Sequence, residues 1–418
     1  MKALLWLAAC AIFGFGAFGG VAKTGRQVLL IVGGTDGYVS PCGCVEPMTG
    51  GIRRRITALR LLSVKDRTTI VDNGDLVGGN GRQDEMKAEA LAECMGLVHV
   101  DALNYGVEEA RLGAGMADSL DRLSGGALLS TGLSDARLPT KRFRESGPFV
   151  IGAVDGRSQQ LGRLLETHVE DVDSSVRSLL DEARDSGKVP VLLMRGDFDQ
   201  ARSMADRHPG LRLIVCDVKT TPPAAPIKVG RTLIVTPGER GKFVVKIEWD
   251  GTAFAGYSST DLGPEFKDDA EAQKVYSAYL GRVAREGLLA MLPREPTKEF
   301  AGSAACTRCH KEAAKVWEQS AHANALSTLE REGHEKDPDC VSCHVVGLSS
   351  VHGFVSRETT PMLADVGCES CHGPARAHAM RPNKNKMAKV ESDVCTKCHN
   401  TEHSPGFDFK TFWPKIAH

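Results

Sequence analysis

The C-terminal third of the chain repeats one short pattern, Cys-x-x-Cys-His, four times. The four copies are Cys306-Thr-Arg-Cys309-His310, Cys340-Val-Ser-Cys343-His344, Cys368-Glu-Ser-Cys371-His372 and Cys395-Thr-Lys-Cys398-His399. The stretch that carries them, 299–418, has few aliphatic runs. A segment so short of apolar side chains cannot easily build an ordinary hydrophobic core. We therefore expect something other than side chains to fill the centre of this region.

Covalent haem attachment explains the motif best. Two thiols a short turn apart add to the two vinyl groups of a haem, and the adjacent histidine is then held beneath the iron. Zinc is the main alternative, but tetrahedral sites built from paired Cys-x-x-Cys do not require a histidine after every second cysteine. Redox dithiols and structural disulfides leave the histidines unexplained. The sequence thus predicts four covalently attached haems of the c type, with the motif histidines as proximal ligands.

Further histidines in the same region are candidates for the opposite side of each iron. They are His322, His334, His352, His378, His403 and His418. A histidine four or six residues after a proximal ligand, such as His403 or His378, lies on the same side of the haem attached there. We therefore expect it to reach a neighbouring haem if it is a ligand. His334 and His352 are better explained as surface residues.

The spacing and the residues between the motifs resemble the tetrahaem cytochromes of the c-554 type and their multihaem relatives. The resemblance covers 300–418 and includes W-E-Q-S-A-H ending at His322, G-C-E-S-C-H-G-P-A-R-A-H ending at His378 and W-P-K-I-A-H ending at His418. It implies that most haems have two histidine ligands. That ligation carries over to these three residues, with His403 as a weaker fourth. One haem of the c-554 type lacks a sixth ligand, so one open iron remains an alternative.

The first residues are typical of an exported protein. One lysine precedes an apolar run of small residues that ends in Gly20-Val21-Ala22, a site suited to signal cleavage. An uncleaved anchor is an alternative, because the run from Ala3 is about long enough to cross a bilayer. A lipoprotein site at Cys10 is a weaker one, since the apolar run continues past it. All three predict a periplasmic or extracellular protein, which agrees with haem attachment outside the cytoplasm.

Between residues 28 and 261, short apolar runs alternate with helical stretches, which is typical of an α/β layered domain with a buried sheet. Candidate strands are 28–32, 69–71, 98–100, 189–194, 211–216, 232–236 and 243–249, and candidate helices are 52–63, 83–95, 107–123 and 174–186. A further helix at 264–292, followed by prolines, indicates a connector. The predicted organisation is a signal at 1–22, an α/β domain at 23–262, a helical connector at 263–298 and a mainly α, loop-rich haem domain at 299–418.

Four stretches of the α/β domain resemble the calcineurin-like metallophosphoesterases, especially the 5′-nucleotidase type. They are G-G-T-D-G-Y from Gly33, G-G-I-R-R-R from Gly50, V-D-N-G-D-L from Val71 and D-A-L-N-Y-G from Asp101. The resemblance implies a sheet sandwich with two metals, held by Asp-x-His, Gly-Asp, Asn-His and later histidines.

This chain departs from that metal-binding pattern at most positions. The first and third positions are Gly34-Thr35-Asp36 and Asn104-Tyr105 here, and the positions of the family's later histidines fall near Arg195 and Asp217, where this chain has no histidine. Only Asp75 clearly keeps the ligand type, with Asp36, Asp72 and Asn104 as helpers. His99, His168 and His208 lie outside the motif positions. We therefore predict a degenerate metallophosphoesterase-like domain.

Two further features of this domain leave alternatives open. Three interpretations fit Cys42-Gly-Cys44: a metal site, a disulfide bond to Cys94 or Cys216, or a tight turn with buried thiols. The arginines 53–55 suit an anion site at a helix start or a solvated helix face.

The formal net charge of −1 gives no electrostatic footprint for nucleic acid. Two axial histidines leave no substrate position on an iron, so electron transfer between redox partner proteins is the main prediction. The N-terminal domain then serves as a docking module, and association with membrane electron-transfer complexes is expected. One enzymatic alternative is a multihaem oxidoreductase acting on a small nitrogen or sulfur compound at one five-coordinate haem. Another is a metal-dependent phosphoesterase with a fused redox domain, and a third, structural alternative is a conductive filament.

Overall fold

The structure is a computed structural model that describes residues 25–41, 47–387, 389–400 and 403–418. The predicted signal at 1–22, with Cys10, lies outside the described residues, as do Cys42 and Cys44. None of the helices in the described ranges is long and apolar enough to cross a membrane.

The N-terminal region contains two six-stranded mixed sheets. The strands of the first are Gln27–Val32 (β1), Thr68–Asp72 (β2), Ala102–Asn104 (β3), Leu128–Leu129 (β4), Phe243–Trp249 (β11) and Phe254–Asp261 (β12), in the order β12-β11-β1-β2-β3-β4. Those of the second are Phe143–Ser146 (β5), Phe149–Asp155 (β6), Val189–Arg195 (β7), Leu213–Val215 (β8), Ile227–Val229 (β9) and Thr232–Val235 (β10), in the order β5-β6-β7-β8-β10-β9. β1 to β4 are parallel to one another, as are β6, β7, β8 and β10.

The two sheets pack face to face, and helices cover their outer faces. Successive residues of a strand point to opposite faces. Leu29 and Ile31 of β1 therefore enter the core between the sheets, while Leu30 and Val32 enter the core beneath the helices. Both faces of the central strands are buried, which explains why they read as continuous apolar runs. The predicted fold class, an α/β sheet sandwich followed by a helical, loop-rich domain, is confirmed.

In the part of the chain that the structure describes, seven helices pack on the sheets and two connect them to the C-terminal region. They are Ile52–Leu62 (α1), Arg82–Gly96 (α2), Val107–Ala110 (α3), Ala114–Leu123 (α4), Ser158–Leu165 (α5), Val172–Ser186 (α6), Phe198–Arg207 (α7), Ala270–Glu286 (α8) and Leu288–Met291 (α9). The helix predicted at 107–123 is broken before Gly113, whose φ of 94° does not fit a helix. The connector predicted at 264–292 is broken in the same way at Gly287, with φ 65°.

The strand predicted at 98–100 is wrong. Residues 97–99 form a turn after α2, with His99 at φ 52°, and the strand begins at Ala102. Val98 is apolar because it packs against the core beneath the helices, not because it lies in the sheet. Asp101 stabilises the turn, since its carboxylate accepts the Ile70 N–H at 2.8 Å.

The C-terminal region consists of short helices joined by loops. Its α-helices are Ser303–Thr307 (α10), Lys311–Glu318 (α11), Ala325–Glu332 (α12), Pro338–Val341 (α13), Cys368–His372 (α14), Arg376–Met380 (α15), Ser392–Thr396 (α16) and Phe409–Phe412 (α17). Its buried apolar cluster is small and centres on Leu326, Val341 and Phe354. The first, third and fourth cysteine motifs lie outside that cluster, at α10, α14 and α16, whereas the second, at α13, contributes Val341 to it.

Candidate functional sites

Among the described residues of the C-terminal region, three pairs of imidazole rings from motif and non-motif histidines lie close together. Each pair joins one motif histidine to one of the predicted distal histidines. The pairs are His310 with His378, His322 with His399 and His372 with His418, whose ring centroids are 6.2, 6.1 and 5.9 Å apart. His378 thus faces the histidine of the first motif and not His372, six residues before it.

The separation of the rings suits a metal between them. Imidazole nitrogens bind metals at about 2.0–2.1 Å and the ring centroid lies roughly 1.1 Å behind the nitrogen, so imidazoles on opposite sides of one metal have centroids roughly 6.2–6.4 Å apart. The three measured distances are close to this value. The described residues therefore fit a haem iron with two axial histidines.

Hydrogen bonds also orient several of these histidines for metal binding. In three of them Nδ1 lies within hydrogen-bond distance of a backbone carbonyl oxygen. They are His344 with Ala325 at 2.7 Å, His378 with Asn385 at 2.6 Å and His418 with Ile416 at 3.0 Å. Because a carbonyl only accepts, Nδ1 carries the proton and Nε2 keeps its lone pair. Bonds of this kind fix the tautomer and the ring orientation of metal-ligating histidines.

An apolar cavity lies between the first and third motifs. Its lining includes His310, His322, His372, His418, Cys306, Cys368, Cys371, Ala313, Ala314, Trp317, Val366 and Ile416. None of the eight motif cysteines is in a disulfide, so their sulfurs are available for addition to vinyl groups. The cavity thus brings together thiols, imidazoles and apolar side chains from two motifs.

A buried carboxylate holds these two motifs together. Glu369, inside the third motif, is 4% exposed and accepts the backbone N–H groups of Ala301 at 2.9 Å, Gly302 at 2.7 Å and Ala375 at 2.7 Å. Ala301 and Gly302 directly precede α10, which carries Cys306. Sequence reasoning missed Glu369, because the position between the cysteines is variable and carries no chemical requirement of its own.

The second motif differs from the other three, because His344 takes part in none of the three imidazole pairs. Its Nδ1 is bonded to Ala325, as described above. The backbone N–H of His403, the weaker distal candidate, donates to the Asn400 side chain at 2.8 Å. His352 is exposed.

A polar network joins the second motif to the N-terminal region. The Tyr276 hydroxyl of α8 lies 3.1 Å from His334 Nε2, and His334 Nδ1 lies 3.8 Å from the Cys340 sulfur. The Gln83 amide of α2 donates to Asp337 at 2.7 Å, and Lys87 forms an ion pair with Asp339. His334, Asp337 and Cys340 place one ligand atom each within 4.8 Å of one another. Because the His334 ring already contacts Tyr276 and a predicted anchor cysteine, we interpret this group as an interface.

The second candidate site is a group of carboxylates at the carboxyl ends of the parallel strands, where ligands bind in open α/β sheets. It contains Asp36 after β1, Asp72 at the end of β2, Asp75 after β2, Asn104 at the end of β3, Glu108 and Glu109 on α3, and Asp217 after β8. The side chain of Arg195, at the end of β7, is 2% exposed and lies among them. The predicted helpers are thus close together, but they surround a guanidinium.

These residues do not fit a dinuclear metal centre. A metal needs lone pairs that point to a common, open position. Here Arg195 fills that position, with Asp75 Oδ1 at 2.9 Å and Asp217 Oδ2 at 3.3 Å. Of the histidines outside the motifs, His208 is bonded to Asp173 at 2.6 Å, away from this group.

The remaining sequence features of the N-terminal region have structural roles. Arg55 is 1% exposed and donates to Thr35 at 3.0 Å, while Arg53 lies over the Tyr276 ring. The arginines 53–55 therefore form neither a solvated face nor an open anion site. Cys94 and Cys216 are buried in separate cores, and burial raises the pKa of both thiols to about 12.

Comparisons with known proteins give the class of each region: a 5′-nucleotidase-type α/β fold is followed by a region that resembles the cytochromes c-554. The family profile "Cytochrome c554 and c-prime" matches residues 305–373. The cytochrome c-554 of Nitrosomonas europaea is 40% identical over 141 residues, which cover 25% of this chain and 60% of that protein. The family match supports a multihaem cytochrome with covalently attached haem in this region.

The solved structures that are similar belong to the N-terminal fold. A 5′-nucleotidase precursor from Thermus thermophilus aligns with a TM-score of 0.53 and 18% identity, covering 74% of this chain and 68% of that one. A sulfate thiohydrolase, SoxB, from the same organism aligns with a TM-score of 0.50 and 18% identity, covering 62% and 61%. The chain therefore spans about three fifths of the length of this thiohydrolase and of the cytochrome. At these identities the likeness shows the fold alone.

Proposed function

We propose that this chain is an extracytoplasmic multihaem c-type cytochrome that carries electrons through four covalently attached haems. The observation that supports this most directly is the set of three imidazole pairs, each of which places at least one ring in the lining of an apolar cavity that also contains cysteines of the first and third motifs. When bound, haem supplies a one-electron iron couple. Export through residues 1–22 and exchange of electrons with redox partner proteins are part of this proposal.

Each predicted residue except His403 has one role in this proposal. The thioether anchors are Cys306, Cys309, Cys340, Cys343, Cys368, Cys371, Cys395 and Cys398. The proximal ligands are His310, His344, His372 and His399, and the distal ligands are His378, His418 and His322 for the first, third and fourth motifs. Apolar neighbours such as Trp317 and Val366 exclude water, and the carbonyl bonds to Nδ1 orient the rings.

We propose a docking role for the N-terminal domain on two grounds. Its carboxylate group surrounds an arginine instead of metals, so the residues of a hydrolytic centre are not assembled. Its helices α2 and α8 contact the second motif segment through Gln83 and Tyr276. The domain thus holds one side of the cytochrome region in a fixed position.

Replacement of His378 by alanine tests the proposed ligand pairs. In the ferric wild type we expect low-spin electron paramagnetic resonance signals from the three paired sites. His378→Ala removes the imidazole opposite His310 and should convert one low-spin signal to high spin. The matched control His352→Ala removes an exposed histidine and should leave the spectrum unchanged. An unchanged spectrum for His378→Ala would refute the pairing.

A second candidate function is favoured by the position of His344 outside the three pairs. An iron held by His344 alone leaves one coordination position for a small ligand, and the chain is then a multihaem oxidoreductase for a small nitrogen or sulfur compound. Addition of cyanide to the ferric protein should then convert a high-spin signal to low spin. A wholly low-spin spectrum that cyanide does not change would rule this function out and leave electron transfer alone.

A further inference from the structure

We infer that Arg195 and Lys219 are built-in cations that take the place of the two metal ions of the metallophosphoesterase-like fold. The N-terminal domain would then assemble its carboxylate group without any metal. This inference does not depend on the proposed haem ligands, because it concerns contacts within the N-terminal region alone.

Arg195 has the contacts of a central cation. Its guanidinium nitrogens lie close to four carboxylates from three different segments: Asp75 at 2.9 Å, Glu108 at 3.0 Å, Asp217 at 3.3 Å and Glu109 at 3.9 Å. Arginine keeps its charge in almost any environment and offers five donors in a fixed fork. Although burial lowers it, these carboxylates raise the pKa of Arg195 above its ordinary value. The side chain is therefore a permanent positive charge inside the domain.

Lys219 supplies the second charge from the solvent side. Its Nζ lies 2.6 Å from Asp36 Oδ1 and 3.4 Å from Asp75 Oδ2. Asp75 Oδ1 contacts Arg195, so this carboxylate uses one oxygen for each cation. A carboxylate that bridges two metals is arranged in the same way, and Asp75 is the residue that keeps the metal-ligand type of the family pattern.

The carboxylates need these charges, because like charges at short range cannot all stay ionised in a buried site. Burial, and then the charge of Asp75, raise the pKa of Asp36 to about 6. Burial raises the pKa of Glu109 to about 7, against the opposing effect of Arg195. Without Arg195 the group would become a buried set of oxygen ligands, the donor type that Ca²⁺ and Mn²⁺ prefer.

The test compares metal dependence before and after removal of Arg195. Full-length wild type should contain no stoichiometric Mn, Zn or Ca, and neither EDTA nor about 1 mM Mn²⁺ or Ca²⁺ should change its Tm. Arg195→Ala should lower the Tm by several degrees in EDTA, and Mn²⁺ or Ca²⁺ should restore a large part of the loss. Arg157→Ala is the matched control, because Arg157 also pairs with Glu108 but is 41% exposed. The Tm of this variant should not depend on metal.

The inference is overturned if wild type carries a stoichiometric divalent metal or loses stability in EDTA. It is also overturned if Arg195→Ala folds with a Tm that does not respond to either metal. If Arg195→Ala does not fold, the same Tm measurements are made on Lys219→Ala. Lys219 is 57% exposed, so its replacement removes no buried side chain. The Tm of Lys219→Ala should rise with Mn²⁺ or Ca²⁺, and an unchanged Tm would contradict the inference.

Discussion

Glu369 shows how much a single side chain in a variable motif position contributes to this structure. The first and third motifs are far apart in sequence, and Glu369 joins them by accepting N–H groups on both sides of the contact. A second bond supports the same contact, since the Cys368 N–H donates to Ser303 at 3.2 Å. The cavity between the motifs, and with it the positions of His310 and His372, therefore rests on a residue that is not itself a ligand.

Replacement of Glu369 by alanine should destabilise the C-terminal region. It leaves the buried N–H groups of Gly302 and Ala375, and the half-buried N–H of Ala301, without an acceptor. At about 1–3 kcal/mol for each of the two buried groups, we expect the free energy of unfolding to fall by about 2–6 kcal/mol. Denaturant unfolding of the full chain measures this change. Glu312→Ala is the control, because this glutamate of α11 has an 84% exposed side chain that pairs with Lys315 on the surface, and its loss should stay within about 0.5 kcal/mol of wild type. A loss below about 1 kcal/mol for Glu369→Ala would contradict the assigned role.

The sequence predicted which cysteines and histidines form the haem sites, but it did not predict which histidine lies opposite which. The spacing of the motifs indicates anchors and proximal ligands, because that chemistry is local. The pairing of His310 with His378 depends on packing between distant segments, which spacing cannot give. The sequence identifies Arg195 only as a departure from the family pattern, although an arginine near a histidine ligand position is the available signal for a replaced metal.

At the scale of elements, the structure depends on how α2 and α8 contact the second motif. Asp337 begins α13 by accepting the Asp339 N–H at 3.1 Å, and the same carboxylate oxygen accepts from Gln83 on α2. Tyr279 of α8 accepts a second bond from Gln83, at 2.9 Å. The helix that carries Cys340 is therefore fixed at its first residues by the N-terminal domain.

Replacement of Gln83 by alanine should loosen this helix. Loss of the bond to a buried carboxylate costs about 1–3 kcal/mol, so amide hydrogen exchange in 337–343 should become about tenfold faster, which corresponds to about 1.4 kcal/mol. Gln159→Ala, on the exposed side of α5, is the control and should leave that segment unchanged. Equal exchange rates in Gln83→Ala and wild type would show that the interface does not stabilise α13.

Elements whose apolar residues repeat with a helical or strand period were predicted from the sequence. Elements that depend on contacts between distant segments were missed. The long helices α1, α2 and α6 were predicted within two residues at each end, because each has an apolar face. β6 was not predicted, although it is buried throughout and lies beside β7 in the second sheet. One partner, β5, directly precedes β6 in a hairpin, but the other, β7, is 40 residues further along the chain, and no local signal indicates that second pairing.

At the scale of the whole molecule, the two regions use different means to fill their interiors. The N-terminal sandwich has three apolar cores and neutralises its carboxylates with its own arginine and lysine. The C-terminal region has one small apolar cluster among its described residues, and its histidines and cysteines surround space between the motifs. Without a group in that space, the short helices α10, α14 and α16 have little to pack against. Attached haem therefore accounts for both the chemistry and the stability of this region.

The most direct test of this account is the intact mass of the purified protein. None of the eight motif cysteines is in a disulfide and each motif has its histidine, so we predict the mass of the polypeptide plus four haems after denaturation, with the N-terminus set by peptide sequencing. Because thioether bonds survive denaturation, non-covalent haem cannot produce this result. A mass equal to the polypeptide alone, from cells that attach haem to other c-type cytochromes, would contradict the account.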